Sequence, residues 1–281
     1  MQDWFDPQRF PNDAPFRAEP AFRTPITMLT RSERQLLRWM ARESYSGAGS
    51  IVELGCWMGG STAALVTGLR ENGRVADQSK IVHTYDYFLW HPTFERYDLG
   101  FTRQVGESFQ DEVERQLAPW RSSVALHAGD IAQAGWTGDP IEILFVDVMK
   151  DATSTTAAAL TFFPHLIPNR SYLIHQDFKH HHSFWLHLQM YRLRTYFVPV
   201  LDVSDAATVV FQPSAPLPAG VMEAASDFDA LCESEIDDAF DYSDSLITGS
   251  APALVQEVRQ ARARAKDALL GGQPAALWLA R

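Results

Sequence analysis

Cysteine is scarce: Cys56 and Cys232 are the only two among 281 residues. So sparse a set supports no disulfide framework, and a reducing compartment, by default the cytoplasm, is expected. Long apolar runs are also missing. No stretch reaches the roughly 18 residues that cross a bilayer, so no membrane partner is expected. The opening residues, Met1-Gln-Asp-Trp-Phe-Asp-Pro7, have neither the basic nor the apolar region of a signal peptide. Basic residues are outnumbered, 24 Lys and Arg against 35 Asp and Glu, giving a formal net charge of -11. Such a surplus repels polyanions and argues against a nucleic-acid partner. Two nucleotide-binding patterns fail as well. Trp57 stands where G-x-G-x-x-G needs its second glycine after Gly55, and no lysine follows Gly60 as a phosphate loop requires.

A hydrophobic fraction of 46% with 21% charged residues is that of a globular chain, long enough for one large domain with appendages. Its organising stretch is 51–69. Residues 50–54 form a short apolar run that ends on Gly55, and 62–69 carry a helical apolar stripe. A buried strand, a glycine turn and a helix are expected. Gly55, Gly59 and Gly60 let the backbone turn sharply and a ligand come close. Ser61 is expected to cap the helix, whose start favours electron-rich ligand groups. The alternative is an ordinary strand–turn–helix without a ligand.

Residues 1–29 read as an extended arm, with prolines at 7, 11, 15, 20 and 25. Phe5, Phe10, Phe16 and Phe22 need burial on the body or on a second subunit, so a homodimer is expected. Thr30-x-x-Glu33 is a capping box that opens a helix to about residue 42. Further strands are expected over 80–86, 123–127, 141–147 and 171–176, with helices over 101–117, 152–163 and 184–194. Residues 196–203 and 207–212 read as an antiparallel hairpin. This alternation predicts an α/β fold, a doubly wound, mostly parallel seven-stranded sheet spanning 30–212. Beyond the proline-rich stretch at 213–218, a helical extension occupies 213–281, with one helix over 252–270.

Glu53-x-Gly55-x-x-x-Gly59 resembles the first motif of the class I S-adenosylmethionine (SAM)-dependent methyltransferases, and five strand–helix units closed by a hairpin are similar to that family's plan. The resemblance implies a Rossmann-like methyltransferase fold and a SAM site made by Glu53, Gly55, Trp57, Gly59, Ser61, Asp86, Tyr87 and Asp130. Ligands of parallel α/β sheets bind outside the carboxyl ends of the strands, where Asp86 is placed to accept the ribose hydroxyls and Tyr87 to cover the adenine. By resemblance Asp130 would reach the adenine amino group; its other reading is a turn aspartate.

Asp147 with Lys150, read together with Gln176-Asp177, is similar to the metal-dependent O-methyltransferases of the catechol type. There an aspartate ends the fourth strand, a lysine follows three residues later, and an acid–amide pair ends the fifth. Here the pair is reversed, amide first. The macrocin and mycinamicin sugar O-methyltransferases, also magnesium enzymes, are a similar relative. The resemblance implies Mg2+ at Asp147, Gln176 and Asp177. Neighbouring strand ends lie about 4.8 Å apart, close enough to share one ion. The alternative makes Asp147 the cap of the following helix and Asp177 a turn residue. Lys150 is the expected base, with His175 as the other candidate; a surface pair of Lys150 with Asp151 or Glu142 is the bland reading. The histidines at 180, 181 and 182 suit zinc, iron or nickel better than magnesium. Because adjacent side chains do not all face one ion, they are expected to form a substrate-facing loop or plain surface. Methylation of a hydroxyl on a small molecule, a sugar or a natural product, is the function expected. Its rivals are metal-independent N- or O-methylation with a histidine base and a non-catalytic partner protein.

Overall fold

The computed structural model describes residues 15–79, 81–272, 274 and 275. Phe5, Phe10 and the first half of the proline-rich arm lie outside the described residues, as does Lys80. Seven strands form one sheet: β1 (Ser50–Leu54), β2 (Val82–Asp86), β3 (Val124–Ala128), β4 (Ile141–Val146), β5 (Tyr172–His175), β6 (Phe197–Asp202) and β7 (Val209–Pro213). Their order is β3-β2-β1-β4-β5-β7-β6. Strands β1 to β5 run parallel, while β7 is antiparallel to both β5 and β6. This is the doubly wound, mostly parallel seven-stranded sheet expected, with the hairpin at its edge. The order reverses between β1 and β4, which opens a crevice beyond their carboxyl ends. In register, Leu54 lies beside both Tyr85 and Val146, and Val146 beside His175, so four strands end level at that crevice.

Strand alternation divides the core in two. Ile51, Ile143, Phe145, Tyr172 and Ile174 face one layer, made by α1 (Arg31–Trp39) and α2 (Gly60–Glu71). Val52, Leu54, Leu144, Val146 and Leu173 face the other, with α3 (Gln110–Leu117) set apart beside the aromatic loop. That second layer holds α4 (Ala152–Phe162) and α5 (Phe184–Arg192), then α6 (Val221–Ala225), α7 (Glu233–Leu246) and α8 (Pro252–Leu270). Phe228, Ile236, Phe240 and Val258 from beyond residue 213 join Phe178, Trp185 and Leu188 in one continuous cluster. The carboxyl-terminal extension is therefore part of the core of this face. Lys179 fastens it, donating from full burial to Asp202 (2.7 Å), the carbonyl of Val203 (2.7 Å) and Ser250 (3.0 Å). No helix among the described residues is long and apolar enough to cross a membrane.

The capping box forms as read: Thr30 accepts from the Glu33 N–H, and Glu33 accepts from the Thr30 N–H at 2.8 Å. The described part of the arm finds its cover on its own chain. Phe16 is fully buried in the α1 layer, a burial that contributes about 2–3 kcal/mol. Phe22 lies beneath the Arg38 guanidinium, and Glu19 pairs with Arg38 and Arg42.

One expected helix is half loop. Residues 101–109 do not coil; the Gly106 N–H donates to the carbonyl of Trp90 and the Phe109 N–H to that of Phe88. Gly106 takes φ +81, which no α-helix accommodates. Phe88, Trp90, Leu99 and Phe109 thereby close a small third core over Cys56, Met58 and Leu117, with Trp57 packed against it. That core holds the turn after β1 in place.

Candidate active site

The turn is fixed by two glycines. Gly55 has φ +90, and a Cβ there would sit 2.7 Å from the carbonyl oxygen of Asp147; Gly59 has φ +84, and its Cβ would meet Leu117 at 2.9 Å. Gly59 is also the residue that caps α2, so Ser61, inside the helix, is not the cap. It turns instead toward the Glu53 carboxyl. Glu53 shares the face of Ile51 and lies wholly buried under α2. There its Oε2 accepts from Thr62 at 2.5 Å and Thr84 at 2.6 Å, and its Oε1 has no partner. Burial pushes this carboxyl up to about 7, against the lowering effect of the three hydroxyls. Strand alternation, which sequence motifs do not report, has turned Glu53 away from the cavity. Glu53, Gly59 and Ser61 brace the turn from behind.

The cavity beyond the strand ends has a volume of about 500 Å3. Gly55, Trp57, Asp86, Tyr87, Asp147, Lys150, Gln176 and Asp177 all line it, so eight of the thirteen residues singled out in the sequence come together. Asp86 links the walls: one carboxylate oxygen accepts from the N–H groups of Cys56 (2.9 Å) and Trp57 (2.8 Å), the other from Phe88 (2.9 Å). Trp57 itself takes φ +45, and its ring packs on Phe94 and Tyr97. A left-handed conformation in so bulky a residue is strained and is held by its surroundings. Its Nε1 is buried with no partner.

At the opposite wall, Lys150 Nζ donates to Asp147 Oδ1 at 2.5 Å and pairs with Asp177 as well. Asp151, not Asp147, caps α4, accepting from the Ser154 N–H at 2.7 Å, and Glu142 is turned inward onto Ser46 and Ala48. Asp147 is therefore not the helix cap, Asp177 does stand in a turn, and Lys150 pairs with acids other than Asp151 and Glu142. Desolvation pushes the Asp147 carboxyl above its ordinary range; Lys150 opposes this and Asp86 adds to it. The Gln176 amide meets both acids. Oriented to donate, its nitrogen lies 2.5 Å from Asp177 Oδ1 and 3.1 Å from Asp147 Oδ1. In the reverse orientation three side-chain oxygens converge, with the Lys150 ammonium as the cation between the two acids. With three carboxylates against one ammonium, the cavity suits a positively charged ligand group.

Two expected site residues stand elsewhere. His175 alternates to the helical face of β5, where it is fully buried among Phe163, Phe178 and Phe211. Both ring nitrogens lack partners, and burial lowers its pKa to about 3. So placed it is a neutral core residue and reaches no substrate proton. Asp130 caps a short turn by accepting from the Ala132 N–H at 2.9 Å, while its neighbours Gly129 and Ile131 line the cavity.

Sequence reasoning missed Met28, which the arm brings to the cavity, and gave no individual role to His91 and Thr93. His91 Nδ1 lies 2.8 Å from Thr93 Oγ1. Their position in the loop after β2 was the available signal; Met28 had none. The 180–182 histidines lie in a turn and are half-buried. Their rings pack at centroid separations of 3.8 to 4.9 Å, and one ring nitrogen from each lies within 4.8 Å of the other two. A tight turn after β5 brings the adjacent rings close to one another.

An open cavity at the switch point of a doubly wound sheet, with a glycine turn on one side and paired acids on the other, is where parallel α/β sheets bind their ligands. Comparison with known proteins carries this further. Residues 52–178, from β1 to just past β5, match the model of a family described as a methyltransferase domain. All four strand ends of the cavity fall inside that match. No curated protein is matched by the sequence. Among solved structures, a TDP-rhamnose 3'-O-methyltransferase of calicheamicin biosynthesis is similar at 12% identity and TM-score 0.47, covering 64% of this chain and 79% of that one. The CcbJ methyltransferase from Streptomyces caelestis is similar at 12% identity and TM-score 0.36, covering 75% and 83%. Similarities of this size leave cofactor and acceptor to be argued from the site.

Proposed function

We propose that the chain is a SAM-dependent methyltransferase that methylates a hydroxyl of a small molecule, a sugar or other diol-bearing compound, with Mg2+ beside the acceptor. One observation carries the reading. Within a methyltransferase domain, the Gly55 turn and Asp86 share a single cavity with Asp147, Lys150, Gln176 and Asp177. Asp86 already accepts three backbone N–H groups. A carboxylate has about four acceptor sites, so one remains for a ribose hydroxyl. Tyr87, His91 and Phe94 offer flat surfaces to an adenine or a sugar.

Two carboxylates and an amide oxygen are the donor set of a hard divalent cation, and Asp147, Asp177 and Gln176 would hold it. Bound there, Mg2+ would supply positive charge beside the acceptor oxygen. Lys150 Nζ stands between both acids and is the base of this reading. The amine then takes the hydroxyl proton as the oxygen bonds to the methyl carbon and the carbon–sulfur bond breaks, leaving S-adenosylhomocysteine. The residues supply alignment and charge; the sulfonium, which leaves as a neutral thioether, supplies the driving force.

A second reading needs no metal. Lys150 stays between the acids and Asp147, its carboxyl already raised, takes the proton. Release of S-adenosylhomocysteine with sugar and catechol acceptors separates the two. Arrest by EDTA and rescue by Mg2+ support the first; full turnover in EDTA supports the second. Tight SAM binding without transfer to any hydroxyl would remove both.

A further inference from the structure

We infer that His180, His181 and His182, in the turn after β5, form a binding site for a divalent transition-metal ion, separate from the carboxylate group of the cavity. Their ring nitrogens lie within 4.8 Å of one another. Ligands about 2.0–2.1 Å from one zinc stand roughly 3.4 Å apart, so the rings turn out of their stacked arrangement to bring three lone pairs onto one ion. The His182 N–H donates to His180 Nδ1 at 3.4 Å, which leaves Nε2 of His180 for an ion. Glu257 on α8 accepts from the His181 N–H at 3.1 Å and contacts His181 Nδ1. A carboxylate on Nδ1 puts the ring proton there and leaves the lone pair on Nε2 for a metal, the arrangement that orients histidine ligands in zinc sites. Arg264, also on α8, lies 3.0 Å from His182 Nδ1. A guanidinium only donates, so Nδ1 of His182 carries a lone pair. An entering ion takes that lone pair in place of the guanidinium.

Three imidazoles select zinc, cobalt or nickel over magnesium, whose preference is for oxygen. The two proposed sites therefore differ in ligand chemistry as well as in place. The turn that carries the histidines begins with Gln176 and Asp177, which line the cavity. An ion held by the three rings stiffens this turn, with Glu257 of α8 behind His181. The role is structural, and no electron or group transfer is involved.

The test uses the full chain without an affinity tag, titrated with Co2+ and followed by its visible absorption, with Zn2+ as competitor. One equivalent of Co2+ is expected, displaced by one of Zn2+. The His180→Gln/His182→Gln protein, checked for fold by circular dichroism, should lose this binding. Glu257→Gln should weaken it by roughly 10- to 100-fold. Asp147→Asn/Asp177→Asn protein should bind as the native chain does. No Co2+ uptake by the native protein would overturn the inference. So would undiminished uptake by the double histidine variant, or loss on Asp147→Asn/Asp177→Asn, which would place the ion at the cavity.

Discussion

Glu53→Gln isolates the cost of seating a carboxyl behind the cofactor turn. Burial raises Glu53 from an ordinary 4.5 to about 7 in the folded chain. Between those values the folded protein keeps a proton that the unfolded chain has released. Stability from this group is thus fully present below about 4.5 and is lost as pH rises toward 7. The interval corresponds to about 3 kcal/mol, at about 1.4 kcal/mol for each tenfold change in proton concentration. Glutamine keeps an oxygen for the hydroxyls of Thr62 and Thr84 and has no such proton to lose. Urea unfolding of both proteins near pH 5 and near pH 8 is the assay. Near pH 5 they should be alike to within about 1 kcal/mol; near pH 8 the variant should be the more stable by up to about 3 kcal/mol. Every other titrating group is common to both, so the difference reports Glu53 alone. A native-minus-variant difference that does not change with pH would refute the buried, proton-holding placement of Glu53.

Gly55→Ala puts a Cβ 2.7 Å from the Asp147 carbonyl at φ +90, and should lose about 1–3 kcal/mol in thermal unfolding together with cofactor affinity. Lys150→Met should lower kcat by about 100-fold or more while the affinity for S-adenosylhomocysteine stays within about threefold; an unchanged kcat would remove Lys150 as the base. His175→Leu trades a buried ring with two unpartnered nitrogens for an apolar side chain. It should gain about 1 kcal/mol on unfolding and keep full turnover, and a loss of turnover would return His175 to the reaction. Acid should destabilise the native chain through His175 and His187, both lowered by burial to about 3. Their contribution is present above about 6.5 and falls as pH drops toward 3, and a His175→Leu/His187→Leu protein should lose part of that sensitivity in acid titration.

Sheet order, hairpin and strand ends were legible because short apolar runs bounded by glycine and aspartate mark buried parallel strands. The carboxyl-end residues Asp86, Asp147 and Asp177 were legible for the same reason: a polar residue closing such a run falls at the crevice. What did not show was side-chain direction. Glu53 and His175 sit one strand position from the cavity, and the period of two sends them into opposite cores. The arm's Met28 reaches the site through a tertiary path that leaves no local pattern. The closeness of the three histidine rings was not legible, because adjacent residues diverge on a strand or helix but approach one another on the turn they occupy.

The central claim is that the turn at Gly55 and Asp86 holds SAM. Calorimetric titration of the folded chain with S-adenosylhomocysteine tests it most directly. The account predicts one site, lost in Asp86→Ala protein that still folds; no binding heat from the native chain at any of several temperatures, or undiminished binding by Asp86→Ala, would contradict it.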